Sequence, residues 1–230
     1  MSQLALPLKL DDHAVFATYY AGRNAAAVTA LERIADGHTG GCWLWGPAAV
    51  GKSHLLQAAC ERAGDRAVYL PLRALGHAAA LAGLDSREIV CLDDVNVVAG
   101  DEAFEQALFS LYNTIVSGRQ SLIVSATMAP RECPFDLADL ASRMTQLAVY
   151  HLRELEDDDR AAALKLRASH RGLELPDDTL RYLLTRSRRD MASLYALLDT
   201  LDTAALRAQR RLTVPFVRDV LSGARAPTSV

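Results

Sequence analysis

The chain has 230 residues and a net charge of −3, half of its residues are apolar, and no apolar run approaches the length of a membrane span. This balance argues against a membrane-spanning or broadly basic nucleic-acid-binding protein, and the N-terminus lacks the basic region of a secretory signal. The four cysteines are widely spaced without a C-x-x-C pair, which predicts buried free thiols in a reducing cytoplasm rather than a metal site.

A short apolar segment, residues 3–8, precedes any periodic element and contains Gln3, Leu4, Leu6, Pro7 and Leu8. A terminal strand or an unstructured tail would explain its position, although free tails usually hold fewer leucines. An extended peptide that fills a pocket on a partner protein explains its composition equally well. The residues alone leave both interpretations open.

Residues 16–24 are rich in aromatic side chains and lead into a predicted helix, residues 25–35, that ends near Gly37. Aromatic side chains just ahead of a nucleotide-binding core can stack on a base. Ordinary core packing is the more common role of such a residue, and both interpretations apply to Phe16.

A phosphate-binding loop is the strongest motif, since the pattern G-x-x-x-x-G-K-[ST] is matched by Gly46, Pro47, Ala48, Ala49, Val50, Gly51, Lys52 and Ser53. An apolar run predicts a buried strand before the loop, and apolar residues at helical spacing predict a helix after it. The two glycines allow a tight turn whose amide groups point at phosphate oxygens. Lys52 would contact the β- and γ-phosphates and the Ser53 hydroxyl would hold Mg²⁺, which predicts bound ADP or ATP.

Two carboxylates end the next long apolar strand. A strand over residues 67–70 and a short helix over residues 75–84 are predicted first, and residues 89–92 then lead into Asp93 and Asp94. Acids at the end of a buried parallel strand suit the magnesium side of a phosphoryl-transfer site. Asp93 would bind the ion through water and Asp94 would polarise the attacking water, although two acids can also open a turn or cap a helix.

A helix over residues 102–116 and a strand over residues 121–125 follow. Thr127, just after this strand, either orients water at the γ-phosphate or starts the turn before Pro130. A short helix over residues 137–144 carries Arg143 near its end, and the last strand covers about residues 148–152. Together these elements predict an α/β core with a five-stranded parallel sheet.

From Glu156 onward the pattern predicts helices without strands, which indicates a domain boundary and a small helical lid. The predicted divisions are a tail at residues 1–12, the core at 13–154, the lid at 155–222 and a tail at 223–230. Arginines cluster before Met191, and Arg189 at a helix N-terminal edge is the candidate that reaches bound phosphates. A solvated face with no specific role is the common alternative for such a run.

These residues together resemble the AAA+ ATPases, and within them the family of the bacterial replication initiator DnaA and its regulator Hda. The matching parts are the loop at residues 46–53, the acids Asp93 and Asp94, the segment with Arg143, Arg189, and residues 208–217. The resemblance implies an AAA+ core with a lid, with residues 16–22 near adenine. It also implies that Thr127 is sensor 1, Arg189 is sensor 2 and Arg143 is an arginine finger.

The resemblance favours a regulator over an initiator. The initiators carry a further helix-turn-helix domain after the lid, for which the chain, ending at Val230, leaves no room. Residues 3–8 resemble the hexapeptide that binds the replicative sliding clamp, the β subunit of DNA polymerase III. The implied function is negative regulation of chromosomal replication, in which a clamp-bound protein stimulates hydrolysis of the ATP bound to DnaA. A weak contact with DNA and self-association into homo-oligomers are compatible with this function.

Two departures from the family pattern predict weak hydrolysis by the chain itself. Thr127 stands where the initiators usually have an acid, and Asp94 stands where most AAA+ ATPases have glutamate. The shorter acid lies farther from the water, so the bound nucleotide would be largely structural. An ATPase of the helicase-loader or transposition type is the alternative, followed by an initiator paralogue that binds DNA directly.

Deleting residues 1–9 should abolish binding to the sliding clamp. Gln3 would supply directional hydrogen bonds, whereas Leu6 and Leu8 would bury apolar surface on the partner. Thermal stability and nucleotide affinity should hardly change. A pull-down with purified clamp measures the effect, and wild-type clamp affinity in the truncated protein would contradict the hexapeptide interpretation.

Overall fold

Parallel strands build the centre of the molecule. The computed structural model describes residues 14–186 and 191–223. Within these residues one parallel sheet contains β1 (Gly41–Trp45), β2 (Ala67–Pro71), β3 (Ile89–Asp93), β4 (Ser121–Ala126) and β5 (Ala148–His151), in the spatial order β2-β3-β4-β1-β5. The predicted five-stranded parallel fold is therefore confirmed. Residues 3–8, Arg189 and residues 224–230 lie outside the described part of the chain.

The central strands are apolar because the sheet is covered on both faces. Every residue of β3 and β4 is buried, and Cys42, Trp43 and Leu44 of β1 are also inaccessible. Such near-continuous apolar runs are typical of buried parallel strands. β2 is half-buried and β5 is mostly exposed, in keeping with their positions at the two edges. All four cysteines are free and buried, as predicted.

Four helices belong to the sheet unit: α1 (Ala25–Ala35), α2 (Lys52–Ala63), α3 (Glu102–Ser117) and α4 (Ala138–Met144). α3 buries one apolar face formed by Phe104, Leu108, Leu111, Tyr112 and Ile115. The Asp101 carboxylate caps this helix by accepting a hydrogen bond from the Phe104 N–H at 3.1 Å. The helix propensity of these residues, the spacing of the apolar ones and the Asp101 cap therefore all favour a helix at α3.

The helix predicted over residues 75–84 is wrong. The segment contains separate 3₁₀ turns, Ala78–Leu81 and Leu84–Ser86, although Leu81 is buried in the core. Gly76 and Gly83 leave only six residues between them. So short a segment forms too few hydrogen bonds to offset the free energy that nucleating an α-helix requires, even when it is mostly alanine.

The chain divides into two compact units. Among the described residues, the first contains residues 14–16 and Ala21–Glu154, and the second contains Ala17–Tyr20 and those from Leu155 onward. In the second unit lie α5 (Asp157–His170), α6 (Asp177–Arg186), α7 (Met191–Ala208) and α8 (Val214–Gly223). Its apolar core includes Leu183, Leu201, Leu212, Phe216 and Val217. No helix in the described ranges is long and apolar enough to cross a membrane.

A buried carboxylate connects α3 to the loop before α4. Glu105 is 1% exposed, and its carboxylate accepts backbone hydrogen bonds from Gly100 at 2.7 Å, Asp136 at 3.1 Å and Leu137 at 2.6 Å. Three backbone donors compensate the desolvation of this charge. Because Leu137 immediately precedes α4, Glu105 sets where that helix begins.

Replacing Glu105 with alanine should lower the free energy of unfolding of the sheet unit by about 3 kcal/mol, because buried N–H groups lose their acceptor. Denaturant unfolding followed by tryptophan fluorescence measures this loss, since both tryptophans, Trp43 and Trp45, lie in β1. Glu132→Ala is the matched control: Glu132 is exposed, so its loss should cost less than about 0.5 kcal/mol. Equal stability of the two variants would contradict the role given to Glu105.

Candidate functional site

The phosphate-loop motif lies between β1 and α2, at the carboxyl edge of the sheet. Gly46 has φ +157° and Gly51 has φ +96°, values that side-chain-bearing residues rarely adopt. A Cβ atom at Gly46 would lie 2.5 Å from the Leu152 carbonyl oxygen, so no larger residue fits there. Backbone conformation and close packing therefore explain why the motif needs glycine at these two positions.

Lys52, the first residue of α2, points back into the loop. Its Nζ donates hydrogen bonds to the Gly46 carbonyl at 2.9 Å and the Pro47 carbonyl at 2.7 Å, and the residue is 7% exposed. Burial lowers the pKa of this ammonium, while the negative charges of Asp94 and Asp93 oppose that shift. An ammonium has three N–H donors, so one remains for a further acceptor.

Asp93 is the last residue of β3 and is 4% exposed. Its Oδ1 accepts a short hydrogen bond from the Ser125 hydroxyl of β4. Its Oδ2 accepts a hydrogen bond from the Tyr69 hydroxyl of β2 at 2.7 Å. Donors from both neighbouring strands thus compensate the burial of this carboxylate.

Asp94 adopts the left-handed conformation, with φ +59° and ψ +46°, immediately after β3. Its backbone N–H donates to the Ser125 Oγ at 2.9 Å, and its Oδ2 accepts from the Arg73 Nε at 3.2 Å. The ion pair is partly open to solvent, since the Arg73 side chain is 68% exposed and that of Asp94 is 25% exposed. A polar network therefore joins the carboxyl ends of β2, β3 and β4.

Ser125 contacts the two acids, whereas Thr127 does not. Thr127 is exposed, and its backbone N–H donates to the Asn96 Oδ1 at 3.0 Å. Sequence reasoning missed Ser125, Tyr69 and Arg73. A buried polar residue needs a partner, so a serine near the end of the apolar strand β4 was a usable signal.

Three other predicted residues lie apart from this network or outside the described residues. Phe16 is half-buried, and the Arg62 guanidinium lies 5.8 Å from the centre of its ring, near the C-terminal end of α2. Arg143 is exposed in the last turn of α4. Arg189 falls in the undescribed gap, so its predicted phosphate contact stays a prediction.

The oxygen ligands at this edge fit Mg²⁺. The ion prefers oxygen and usually takes one or two carboxylates together with water and substrate phosphates. Asp93 ends β3 and Ser53 lies in the first turn of α2, directly after the phosphate loop at the same edge of the sheet. In the described part of the chain, this edge included, no group of three or more His, Cys, Asp or Glu residues could hold a metal ion, so the remaining ligands of Mg²⁺ here would be water and phosphate oxygens.

Comparison with known proteins gives two kinds of match. Residues 157–221 match a family model described as the Hda lid domain. Domain III of the Thermotoga maritima replication initiation protein DnaA superposes with a TM-score of 0.78 at 17% identity, over 95% of this chain and 99% of that chain. AMPPCP-bound DnaA from Aquifex aeolicus gives a TM-score of 0.71 at 20% identity, over 88% and 69% of the two chains.

The same fold also occurs in a different molecular machine. The RuvB Holliday junction branch migration motor of Thermotoga maritima superposes with a TM-score of 0.65 at 17% identity, over 90% of this chain and 73% of that chain. At such identities the likeness establishes the fold, which an initiator and a motor share. The lid match is therefore the more specific of the two findings.

Lys52→Ala should weaken binding of ADP about ten- to a hundredfold, because a charge-assisted hydrogen bond to phosphate contributes about 1.5–3 kcal/mol. Calorimetric titration measures the change. Lys165→Ala is the control: this lysine belongs to α5, its side chain is 50% exposed, and it pairs with Asp177. Equal ADP affinity in the wild type and Lys52→Ala would count against a phosphate site at the loop.

Proposed function

We propose that this chain, an AAA+ protein related to DnaA and Hda, is a negative regulator of chromosomal replication initiation. It binds adenine nucleotide at residues 46–53, binds the DNA-loaded sliding clamp, and stimulates hydrolysis of the ATP bound to DnaA. The lid match and the DnaA-like fold support a DnaA-related role. The exposed position of Arg143 carries the rest of the proposal.

Arg143 has the features that an arginine finger requires. α4 buries Leu140 and Met144 completely, while Arg143 between them on the helix surface is exposed. Within the described residues its guanidinium has neither a hydrogen-bond nor an ion-pair partner. A guanidinium without an internal partner is available to a neighbouring subunit, where it can stabilise charge that develops on a γ-phosphate.

The start of α4 is fixed, which favours a specific role for the arginine at its end. Glu105 binds the backbone N–H groups of Asp136 and Leu137, directly before the helix. A short helix held at its first turn and packed through Leu140 and Met144 presents Arg143 in a defined direction. Pre-organisation of this kind lowers the entropic cost of inserting the side chain into a partner's site.

The nucleotide of this chain is proposed to be mainly structural. Lys52, Ser53 and Asp93 supply the phosphate and magnesium contacts, and the Aquifex DnaA was solved with bound AMPPCP. Asp94 is shorter than the glutamate that usually polarises water in AAA+ ATPases, and it pairs with Arg73 at 3.2 Å. A carboxylate oxygen that already accepts a hydrogen bond from an arginine is less available to a water molecule. We therefore expect the chain itself to hydrolyse ATP slowly.

Binding to the clamp is assigned to residues 3–8, on the basis of their sequence. Gln3 would provide hydrogen bonds while Leu4, Leu6, Pro7 and Leu8 would enter an apolar pocket. Attachment to a clamp on DNA would raise the local concentration of this protein near the replication fork. Linked binding of this kind can increase the effective affinity for DnaA without any new contact.

Arg143→Ala should fold normally, bind clamp and bind its own nucleotide, yet fail to stimulate ATP hydrolysis by DnaA. The expected loss is on the order of 10³ to 10⁵ in rate, the usual contribution of an arginine finger. Single-turnover hydrolysis of DnaA-bound ATP, with clamp loaded on DNA in excess, measures it. Arg143→Lys should restore little, because an ammonium lacks the planar fork of the guanidinium.

Arg131→Ala is the matched control, because Arg131 is another exposed arginine in the loop between β4 and α4. It removes the same charge from the same region and should leave the stimulation intact. Full stimulation by Arg143→Ala would overturn the arginine-finger assignment. Equal loss in both variants would indicate a general electrostatic effect instead of a finger.

A further inference from the structure

The basic turn, residues 206–211, ends α7 and leads toward α8 with a local excess of positive charge. Arg207 lies in the last turn of α7, and Arg210 and Arg211 follow the helix directly. The chain has no acidic residue at positions 203–218. Because the net charge of the whole chain is −3, this positive charge is a property of one segment and not of the molecule as a whole.

The three arginines of the basic turn are exposed and have few partners in their own unit. Within the described residues Arg207 and Arg210 make no ion pair, and the Arg211 Nη1 lies 4.0 Å from the Glu174 Oε2. The two side chains of that pair are 87% and 75% exposed, so their attraction is weak in water. Like charges only a few residues apart repel one another, and internal ion pairs hardly compensate this repulsion.

The backbone of the basic turn is held in place by buried contacts. Leu212, the next residue, is 2% exposed, and its carbonyl accepts a hydrogen bond from the buried Thr179 hydroxyl of α6 at 3.0 Å. The Arg210 N–H donates to the Ala205 carbonyl at 3.1 Å, and the Arg210 guanidinium lies 4.9 Å from the centre of the Phe216 ring. A fixed backbone therefore presents the arginines to solvent, which lowers the entropic cost of binding a partner.

Compensation of the helix dipole explains only part of this charge. A basic residue in the last turn of a helix interacts favourably with the negative end of the dipole, which accounts for Arg207. Arg211 lies beyond the end of α7 at Ala208, and Arg218, in the middle of α8, is exposed as well. The dipole does not require arginines at these two positions.

We propose that the basic turn binds the phosphate backbone of duplex DNA. This inference deepens the proposed function, in which a clamp loaded on DNA holds the chain beside the duplex. Duplex DNA carries closely spaced negative charges, and a guanidinium can form two parallel hydrogen bonds with one phosphate. Contacts with the phosphate backbone carry no direct sequence information, so this binding is independent of DNA sequence.

The composition of the basic turn favours DNA over an acidic protein as the partner. A protein interface has an apolar centre that becomes buried on binding. Within the described residues from 203 to 223, Leu206 alone is a large apolar side chain that is exposed, at 79%. One leucine does not form such a centre, whereas neighbouring arginines complement the charge of a phosphate backbone.

Fluorescence anisotropy with a short fluorescein-labelled duplex, without clamp or DnaA, tests the proposal. Wild-type protein should bind the duplex, and the logarithm of its binding constant should fall linearly with the logarithm of the salt concentration. Arg207→Ala combined with Arg211→Ala should weaken binding about tenfold at low salt and reduce the slope of this dependence by about two, because each phosphate contact contributes about 0.9 to the slope. Arg210 is kept, since its guanidinium packs on Phe216.

Arg33→Ala combined with Arg119→Ala is the matched control, because it removes two exposed arginines from the first unit and changes the net charge equally. It should keep the wild-type affinity for the duplex and the wild-type slope. Replacing Arg207 and Arg211 with lysine keeps both charges and should restore most of the slope, since an ammonium also binds phosphate. The thermal unfolding of each variant should match that of the wild type.

Three outcomes would overturn the proposal. They are wild-type protein that does not bind the duplex, an equal loss in the control variant, and a double alanine variant that binds the duplex normally. If this last variant also lost binding to clamp or stimulation of DnaA, the basic turn would instead dock a protein. Because the assay contains neither clamp nor DnaA, failure of the proposed regulatory function does not alter its result, and the Arg143 experiment judges that function separately.

Discussion

The hydrogen bond from the Ser125 hydroxyl to the Asp93 carboxylate is the contact on which the candidate site depends. Both residues are almost fully buried, so each would carry a desolvation penalty without the other. Their pairing requires the register of β3 and β4, in which Leu92 lies opposite Val124. A slip of one residue would turn Ser125 to the opposite face of the sheet and leave Asp93 without this donor.

The same constraint determines where the phosphate loop lies. β1 pairs with β4 on one side and β5 on the other, so the loop after Trp45 begins at the same carboxyl edge as the acids that end β3, with only β4 between them. Lys52 is then close enough to Asp93 and Asp94 for their charges to act on its pKa. At this buried edge the positive charge of Lys52 can bind a phosphate, and the negative charges of the two acids can bind a cation. When neither ligand is bound, the opposite charges stabilise one another.

Two acids and one arginine of the first unit differ in burial and in their hydrogen bonds. Asp93 and Glu105 are buried and fully engaged by donors of their own chain, whereas Arg143 is exposed without an internal partner among the described residues. Both acids therefore act within their own chain, whereas a guanidinium without an internal partner can act on another molecule. This contrast supports the proposal that the chain activates hydrolysis by a partner.

Local information in the sequence was enough to predict the sheet, the phosphate loop and the two acids, because each depends on short-range pattern. Continuous apolar runs identify buried strands, and the spacing of Gly46, Gly51 and Lys52 follows from the turn that the backbone must make. The helix predicted over residues 75–84 failed because alanine-rich composition alone does not stabilise so short a segment as an α-helix. The contacts that Tyr69, Arg73 and Ser125 make with the two acids depend on the strand order β2-β3-β4, which brings residues far apart in the chain to one edge of the sheet. The same order places Ser125, and not Thr127, beside the acids. Only tertiary structure decides such contacts, since pairing between strands is set by packing across the whole sheet.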